Sequence, residues 1–477
     1  MSYQKIQYRV LDDANCKDIA DAAYRILANT GCQIHNEKVL EILKQAGCQV
    51  EEQEQLVRIP EEISRKAVAD APSEITLYNR EGQPAMELKP GAVYFGPAIT
   101  IAAIEDLETG KRRPSVEQDS VNAVVLMDAL DNISWVSPLT SPQDVDASVS
   151  DLIELKTVLA NTNKPVMYWS QSLKNLKYQF EMFEAACSGQ EQVQDKPFMI
   201  NLICPMDPLT HSGDGMDQIV YLAERKSPIV YIAGIGMGLS GPATIAGTIA
   251  VGIADTLAGL IVAQIVNPGT PFVASKFTDN VDFRTMSVTH SNPEMLLANA
   301  ATADVFRFMG LPFCSNFSGT DSGVFDQIAA FDKSIQIYTA LLSETNMNFA
   351  MGAYESGAYA KLQDLVFGNE AIGFLKVLTG GVEVSEETLA EDVIDEVGPG
   401  GVFISEEHTL DHIHDFWIAD LMKPRLSRQL ASGGVISTAD GITARVKEIL
   451  QKGSGHPLSE EAIRKLDAII EKAASAG

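Results

Sequence analysis

Residues 229–277 read IVYIAGI, GMGLSG, PATIAGTIAVGIADTLAGLIVAQIV, NPGT and PFVASKF in succession. Two short β-rich runs flank one long apolar stretch. A strand, a crossover helix and a second strand is the simplest reading, and such a crossover makes the strands parallel. The runs are nearly continuous in apolar residues, as strands covered on both faces should be. Outward from this unit the alternation continues from about residue 92 to 380. β-rich runs recur at 92–97, 134–139, 165–170, 198–204, 229–235, 271–277, 311–318 and 349–354. Segments of helical periodicity, such as 119–130, 148–160 and 293–309, lie between them. Eight such units predict an α/β fold closed into a (β/α)8 TIM barrel. An open doubly wound sheet stays possible, because a strand-order reversal is invisible in sequence. Residues 1–90 read as a mostly helical N-terminal extension, 91–380 as the barrel and 381–477 as a helical C-terminal extension.

Composition narrows the function. The chain has 477 residues, 45% of them hydrophobic, ample for a large core. Its formal net charge of −28 excludes nucleic acid and anionic membrane surfaces as partners. It fits a cytoplasmic protein kept apart from its copies by repulsion. The first twelve residues are polar and mixed in charge, unlike a signal peptide. Cys16, Cys32, Cys48, Cys187, Cys204 and Cys314 are scattered, with no C-x-x-C pair. They read as reduced core thiols rather than zinc ligands. The stretch 242–266 is long enough to span a bilayer. Asp255 and Gln264 interrupt it and no basic flank follows, so burial in the core or at a subunit interface is expected. Its glycines and alanines point to a homo-oligomer.

Gly236-Met237-Gly238-Leu239-Ser240-Gly241 matches the dinucleotide fingerprint G-x-G-x-x-G. The acidic residue expected about 20 positions on, at a strand end, is missing. A dinucleotide-dependent oxidoreductase is therefore the lesser alternative, and a glycine-rich barrel loop that admits a ligand to the backbone is favoured. His412-Ile413-His414, near His408, Asp411 and Asp415, resembles a metal pair, but it lies beyond the last strand and reads as solvated surface. No metal site is expected. No G-x-S-x-G elbow is present, and no cysteine sits in an evidently activating setting.

Aromatic residues gather near the C-terminal ends of the β-rich runs. They are Tyr94, Phe95, Tyr168, Trp169, Tyr231, Phe277, Phe317 and Tyr354. That face of a barrel is where ligands bind. Aromatic faces there attract a permanently charged, weakly hydrated cation such as a quaternary ammonium. Each aromatic taken singly is equally at home in barrel core. Glu355, after Tyr354, can pair with the cation. Arg284 and His211, just after strands, can hold a negative substrate group, though Arg284 reads equally well as a structural ion pair.

The same stretches resemble the trimethylamine methyltransferase superfamily. The resemblance is carried by Tyr94-Phe95-Gly96-Pro97, then residues 105–114 and 128–133, Pro208-Leu209-Thr210-His211, residues 243–248 and 257–260, Phe283-Arg284-Thr285 through Asn292-Pro293-Glu294, and residues 369–410. It implies a barrel enzyme that demethylates a methylamine and methylates the cobalt of a cognate corrinoid protein. The cobalamin is then carried by that partner, with no cofactor on this chain. Founding members carry pyrrolysine in a segment similar to Thr320-Asp321-Ser322-Gly323-Val324-Phe325-Asp326, where Gly323 takes its place here. This departure points to the pyrrolysine-free relatives, which include demethylases of glycine betaine, proline betaine, carnitine and γ-butyrobetaine. The expected substrate-binding set is Tyr94, Phe95, Trp169, His211, Tyr231, Arg284, Phe317, Gly323, Tyr354 and Glu355, with the catalytic residues unassigned. A betaine-binding barrel without catalysis is the other alternative.

Overall fold

The structure, a computed structural model, describes residues 6–187, 189–421 and 437–475. At the N-terminus, Asp12 accepts a hydrogen bond from the Asn15 amide and caps α1 (Asp13–Arg25). Asn36 caps α2 (Glu37–Gln45) in the same way. Pro60 precedes α3 (Glu61–Asp70), where its missing N–H costs no helical bond. Between them run β1 (Cys32–Ile34), β2 (Gln49–Glu51) and β3 (Leu56–Arg58), an antiparallel set, followed by the hairpin β4 (Ile75–Tyr78) and β5 (Pro84–Leu88). This part is helical with short strands between, three α-helices of 13, 9 and 10 residues against strands of three to five. Strands of three residues are too short to display a period of two.

The alternating region follows. It runs β6 (Tyr94–Pro97), β7 (Ala103–Glu105), β8 (Arg112–Pro114), α4 (Glu117–Ala129), α5 (Ser150–Asn161), β9 (Val166–Trp169), α6 (Leu173–Ala186) and α7 (Gln190–Asp195). Next come β10 (Met199–Ile203), β11 (Thr210–His211), α8 (Gly213–Glu224), β12 (Ile229–Gly236), α9 (Ile245–Val266), β13 (Phe272–Asp282), β14 (Ser287–Thr289) and α10 (Pro293–Phe308). It ends with β15 (Phe313–Ser315), α11 (Gln327–Ser343), β16 (Met347–Met351), β17 (Ala353–Tyr354), β18 (Tyr359–Ala360) and α12 (Leu362–Thr379).

Seven strands form one parallel path, β6-β16-β15-β13-β12-β10-β9, and β14 folds back antiparallel on β13. This is a half-barrel of seven parallel strands rather than the expected closed eight-strand barrel. The run at 134–139 builds no ladder. Val136 makes a single bridge to Val166, and the Ser134 amide donates to the Phe95 carbonyl at 2.8 Å. Pro138 removes a donor within the run, so a continuous ladder is barred there. The expected run at 349–354 also divides: β16 ends at Met351, Gly352 turns the chain with φ +93°, and β17 joins a separate small sheet with β18, β7 and β8.

The sheet's inner face is filled at its N-terminal end. Trp135, Met167, Ile200, Val230, Val273, Cys314 and Met347 form one buried cluster there, with Ile75, Leu77, Met86 and Leu88 of the β4–β5 hairpin packed among them. The hairpin thus plugs that end. At the other end, β11 pairs in parallel with β1, which ties the N-terminal sheet to the loop after β10.

The helix α9 is long and apolar enough to cross a membrane by length and composition, yet most of it is buried inside the chain. It is covered by α1, α3 and α8 and by β12 and β13. Its apolar surface is consumed within one chain, so it gives no reason for an oligomer. Two glycines allow this fit. A Cβ at Gly252 would lie 2.4 Å from Lys276 Cγ, and one at Gly259 would lie 2.7 Å from Tyr231 Cδ1.

Beyond α12, the helices α13 (Glu386–Leu389), α14 (Glu391–Val397) and α15 (Glu407–His412) bury no residue. The helices α16 (Thr438–Lys452) and α17 (Glu460–Ser475) return to the body. The first packs Ile442, Val446 and Ile449 toward α4 and α12, and the second packs Leu466 and Ala473 toward α5 and α6.

Gly259→Ala forces a methyl group against the Tyr231 ring. It is expected to lower the unfolding free energy by about 1–3 kcal/mol, read as a lower denaturant midpoint. An unchanged midpoint would show that the helix does not need to approach the strand so closely.

Candidate active site

Side chains of a strand alternate between its two faces. Met167, Ile200, Val230, Val273 and Met347 are on the inner face, so Trp169, Leu202, Cys204, Ile232, Gly234, Phe277 and Phe349 are on it too. Exposure rises along this face toward the strand C-terminal ends. On β10, Ile200 is buried, Leu202 half-buried and Cys204 exposed. On β12, Val230 and Ile232 are buried and Gly234 is half-buried. The same step from buried to half-buried separates Met167 from Trp169, Ser275 from Phe277 and Met347 from Phe349. The inner face is therefore packed at one end and hollow at the other. Cys204 gives an independent sign of this. Its side chain is accessible, yet surrounding protein pushes its thiol pKa up to about 12 by desolvation, aided by the charge of Asp207. A group both reachable and crowded lies in a recess.

By strand parity, three partly exposed aromatic residues fall at this end of the inner face. The Phe277 and Phe349 rings have centroids 5.5 Å apart. Trp169 is half-buried and donates its indole N–H to Glu154 Oε2 at 2.8 Å. Glu154 is on α5, nearly fully buried, and accepts a second bond from the Ser141 hydroxyl at 2.7 Å. Burial raises the Glu154 carboxyl pKa to about 7, against the lowering effect of those two bonds.

A second cluster joins the loop after β15 to β8 and to the β17–β18 turn. Arg112 on β8 binds Glu355 through two bonds, 2.6 and 2.7 Å, and donates to the Gly323 carbonyl at 3.0 Å. Tyr359 donates to that same carbonyl at 2.7 Å, and Arg112 stacks 4.0 Å over the Tyr359 ring. A Cβ at residue 323 would lie 2.5 Å from Glu355 Oε1. Glycine is thus the residue that the ion pair leaves room for. Behind it, the buried Lys333 ammonium donates to Asp364 at 2.9 Å and to the Ser318 carbonyl at 3.0 Å. Tyr354 is in that network, with Lys333 4.8 Å from its ring.

The expected residues separate accordingly. Trp169 lies at the hollow end of the inner face, and Gly323 and Glu355 meet at Arg112. Tyr94 is at the plugged end, its hydroxyl accepting from the Glu87 amide at 3.0 Å. Phe95, Tyr231 and Phe317 are buried in the outer core, toward the helices. His211 is fully buried, its Nδ1 2.7 Å from the Tyr231 hydroxyl, and burial pushes its pKa down to about 3, so it is neutral. Arg284 is on the exposed β13–β14 turn and pairs with Asp282 at 3.1 Å. Glu355 already has a matched charge. Phe349, Glu154 and Arg112 escaped the sequence reading. Parity counted from a correctly placed β16 would have found Phe349.

The glycine-rich turn is closed on itself. The amides of Leu239, Ser240 and Gly241 all point at the Gly236 carbonyl, at 3.1, 3.1 and 3.0 Å. Those donors are spent within the turn, which leaves them unavailable to a pyrophosphate. His412 pairs with Asp415 at 2.7 Å. Among the described residues, no three His, Cys, Asp or Glu side chains are grouped to hold a metal ion.

Comparison with known proteins agrees with this architecture. A family model described as "Trimethylamine methyltransferase (MTTB)" matches residues 2–477. The trimethylamine methyltransferase MttB of Desulfitobacterium hafniense (strain DSM 10664 / DCB-2) is 26% identical over 428 residues, covering 88% of this chain and 84% of that one. The glycine betaine methyltransferase of Desulfitobacterium hafniense (strain Y51) is 27% identical over 419 residues, covering 87% of each. Among solved structures, the Methanosarcina barkeri monomethylamine methyltransferase (MtmB) aligns with a TM-score of 0.53 at 12% identity. It covers 100% of this chain and 90% of that one, a likeness of fold.

Arg112→Ala removes one of the two donors that hold the Gly323 carbonyl. Amide hydrogen exchange in residues 320–326 is expected to speed up, while that in β12 stays unchanged. Equal exchange in the two proteins would mean that Tyr359 alone fixes the loop.

Proposed function

This chain belongs to the trimethylamine methyltransferase family, and from that membership we propose that it demethylates a small quaternary amine and passes the methyl group to cobalt(I) of a corrinoid carried by a partner protein. Glycine betaine, proline betaine, carnitine and γ-butyrobetaine define the substrate class. The observation that carries this reading is the hollow lined by Trp169, Phe277 and Phe349 at the C-terminal ends of the strands. π-Faces suit a cation that cannot donate hydrogen bonds. The run at 134–140, bonded to both β6 and β9, is taken as the eighth stave that encloses the hollow. Glycine at 323, with the Arg112–Glu355 pair filling the space beside it, favours a quaternary over a tertiary amine.

The chemistry asks little of the side chains. In the transfer the C–N bond breaks and its electron pair stays on nitrogen. The cobalt(I) electron pair forms the new bond to carbon, and a neutral tertiary amine is left. No proton moves, so no general acid is needed. The residues of this chain bind the cation, aim one methyl group at the opening and keep water away. The partner must reach that opening. Met206, Leu239, Phe283 and Met286, on loops after β10, β12 and β13, are exposed there and offer it an apolar rim. The cytoplasm is the expected compartment. A homo-oligomer is expected as well, and exposed apolar side chains between 377 and 418, such as Val382, Ile404 and Ile418, are the support for it.

Purified protein, its corrinoid partner and a reductant are expected to convert cobalt(I) to methylcobalt(III) with one of the four amines, followed in the visible spectrum. Silence with all four, alongside tight amine binding, would favour a binding protein without catalysis. Phe277→Leu and Phe349→Leu keep apolar bulk and lose a π-face. Each is expected to raise KM for the amine about 5- to 30-fold, the loss of about 1–2 kcal/mol of cation–π attraction. An unchanged KM in both would place the cation elsewhere.

A further inference from the structure

The helix α5 directs two buried carboxylates, Asp151 and Glu154, at the ends of its neighbouring strands. Residues three apart on a helix share a face. Asp151 accepts from the Gln171 amide at 3.0 Å and from Asn175 at 2.8 Å, which anchors the loop after β9. Glu154 accepts from Ser141 and from the Trp169 indole. Its two oxygens therefore tie the end of the 134–140 run to the end of β9. An indole N–H needs only one acceptor, and a backbone carbonyl or an amide would serve. A carboxylate in that place, buried and without a cationic partner among its bonds, costs desolvation that a neutral acceptor would not.

We propose that Glu154 is a positioning residue for the cation site: its ionised carboxylate fixes the plane of the Trp169 indole and feeds negative charge toward the ring that faces the substrate. The inference rests on the functional reading above, in which Trp169 meets the quaternary nitrogen. A charge-assisted bond is shorter and stronger than a neutral one. Negative charge behind the N–H also makes the π-face more attractive to a cation. Protonation of Glu154 leaves an O–H in place of one acceptor and weakens both effects. The group is poised for this, since burial lifts its pKa to about 7. Asp151, on the same face of α5, raises it further. Of the charges on elements packed around α5, Asp119 on α4 binds Arg113, Asp128 on α4 binds His456, and Asp467 on α17 binds Lys156 of α5 itself. On α6 the nearby groups, Asn175 and Gln179, are neutral and bond to Asp151. Above pH 7 the ionised form holds the indole, and below it the amine binds less tightly.

The test uses the full-length chain. Intrinsic tryptophan fluorescence is titrated from pH 5.5 to 8.5 in the wild type, Glu154→Gln and Trp169→Phe. A transition near pH 7 is expected in the wild type and in neither variant. Its absence from the wild type, or its survival in Glu154→Gln, overturns the inference, and the wild-type titration needs no variant to fold. Dissociation constants for glycine betaine, proline betaine, carnitine and γ-butyrobetaine are then measured over the same range by calorimetry. For the amine that binds, affinity is expected to fall about fivefold or more below pH 7 in the wild type, the difference between a charge-assisted and a neutral bond. Glu154→Gln is expected to be flat at the weaker value. Wild-type affinity and pH dependence in Glu154→Gln would overturn the inference and leave the functional reading intact. A fluorescence transition as expected, with none of the four amines bound, would overturn the functional reading and leave the Glu154–Trp169 coupling standing.

Discussion

A β-strand gives each side chain one of two faces, and that parity governs everything at this site. Tyr168 and Trp169 are adjacent in sequence, yet Tyr168 is buried against Phe183 on the helix side, while Trp169 lies at the hollow. Tyr231 and Phe277 both looked eligible to line a cage. Parity sends Tyr231 outward against Gly259 and Phe277 inward beside Phe349. The inner face is a closed account of volume: bulky residues and the β4–β5 hairpin fill its lower end, and smaller or wider-spaced groups such as Gly234 and Cys204 leave the upper end open.

The electrostatics follow from the same geometry. The chain carries a net charge of −28, and several charges near the strand ends are matched locally. Arg112 takes Glu355, Lys333 takes Asp364, and Lys361 takes Glu105. Burial pushes the Lys333 ammonium pKa down while Asp364 pulls it up. Its bond to the Ser318 carbonyl makes this pair a clamp on the loop after β15. Beside these pairs stand the aromatic faces and, behind Trp169, the Glu154 carboxylate. That suits a cation whose charge is hidden under methyl groups, because such an ion gives up little hydration on entering.

The alternation of β-rich runs and helical segments was legible because each unit is long and apolar. The starts of β9, β10, β12 and β13 came out within a residue or two. Two runs did not form the expected strand, each for a reason carried by one residue. The run at 134–139 contains Pro138 and cannot complete a ladder, and the run at 349–354 is broken by Gly352. Before residue 90 the strand at Ile75–Tyr78 was legible, and the three-residue strands were legible only as short extended pieces, because three residues do not establish a period. Of the expected substrate-binding set, Trp169, Gly323 and Glu355 lie near strand ends, and the partner that joins the last two, Arg112, is more than two hundred residues away in the chain. No local pattern marks such a pair.

Sequence by itself determined the class of fold, the burial of the long apolar helix and the family to which the chain belongs. These depend on composition and period, which survive an error of a residue or two. Tertiary structure decided which aromatics share the hollow, that Glu154 stands behind Trp169, and that His211 and Tyr231 face away. A slip of one residue in register moves a side chain to the opposite face, so such assignments exist only once the strands are paired.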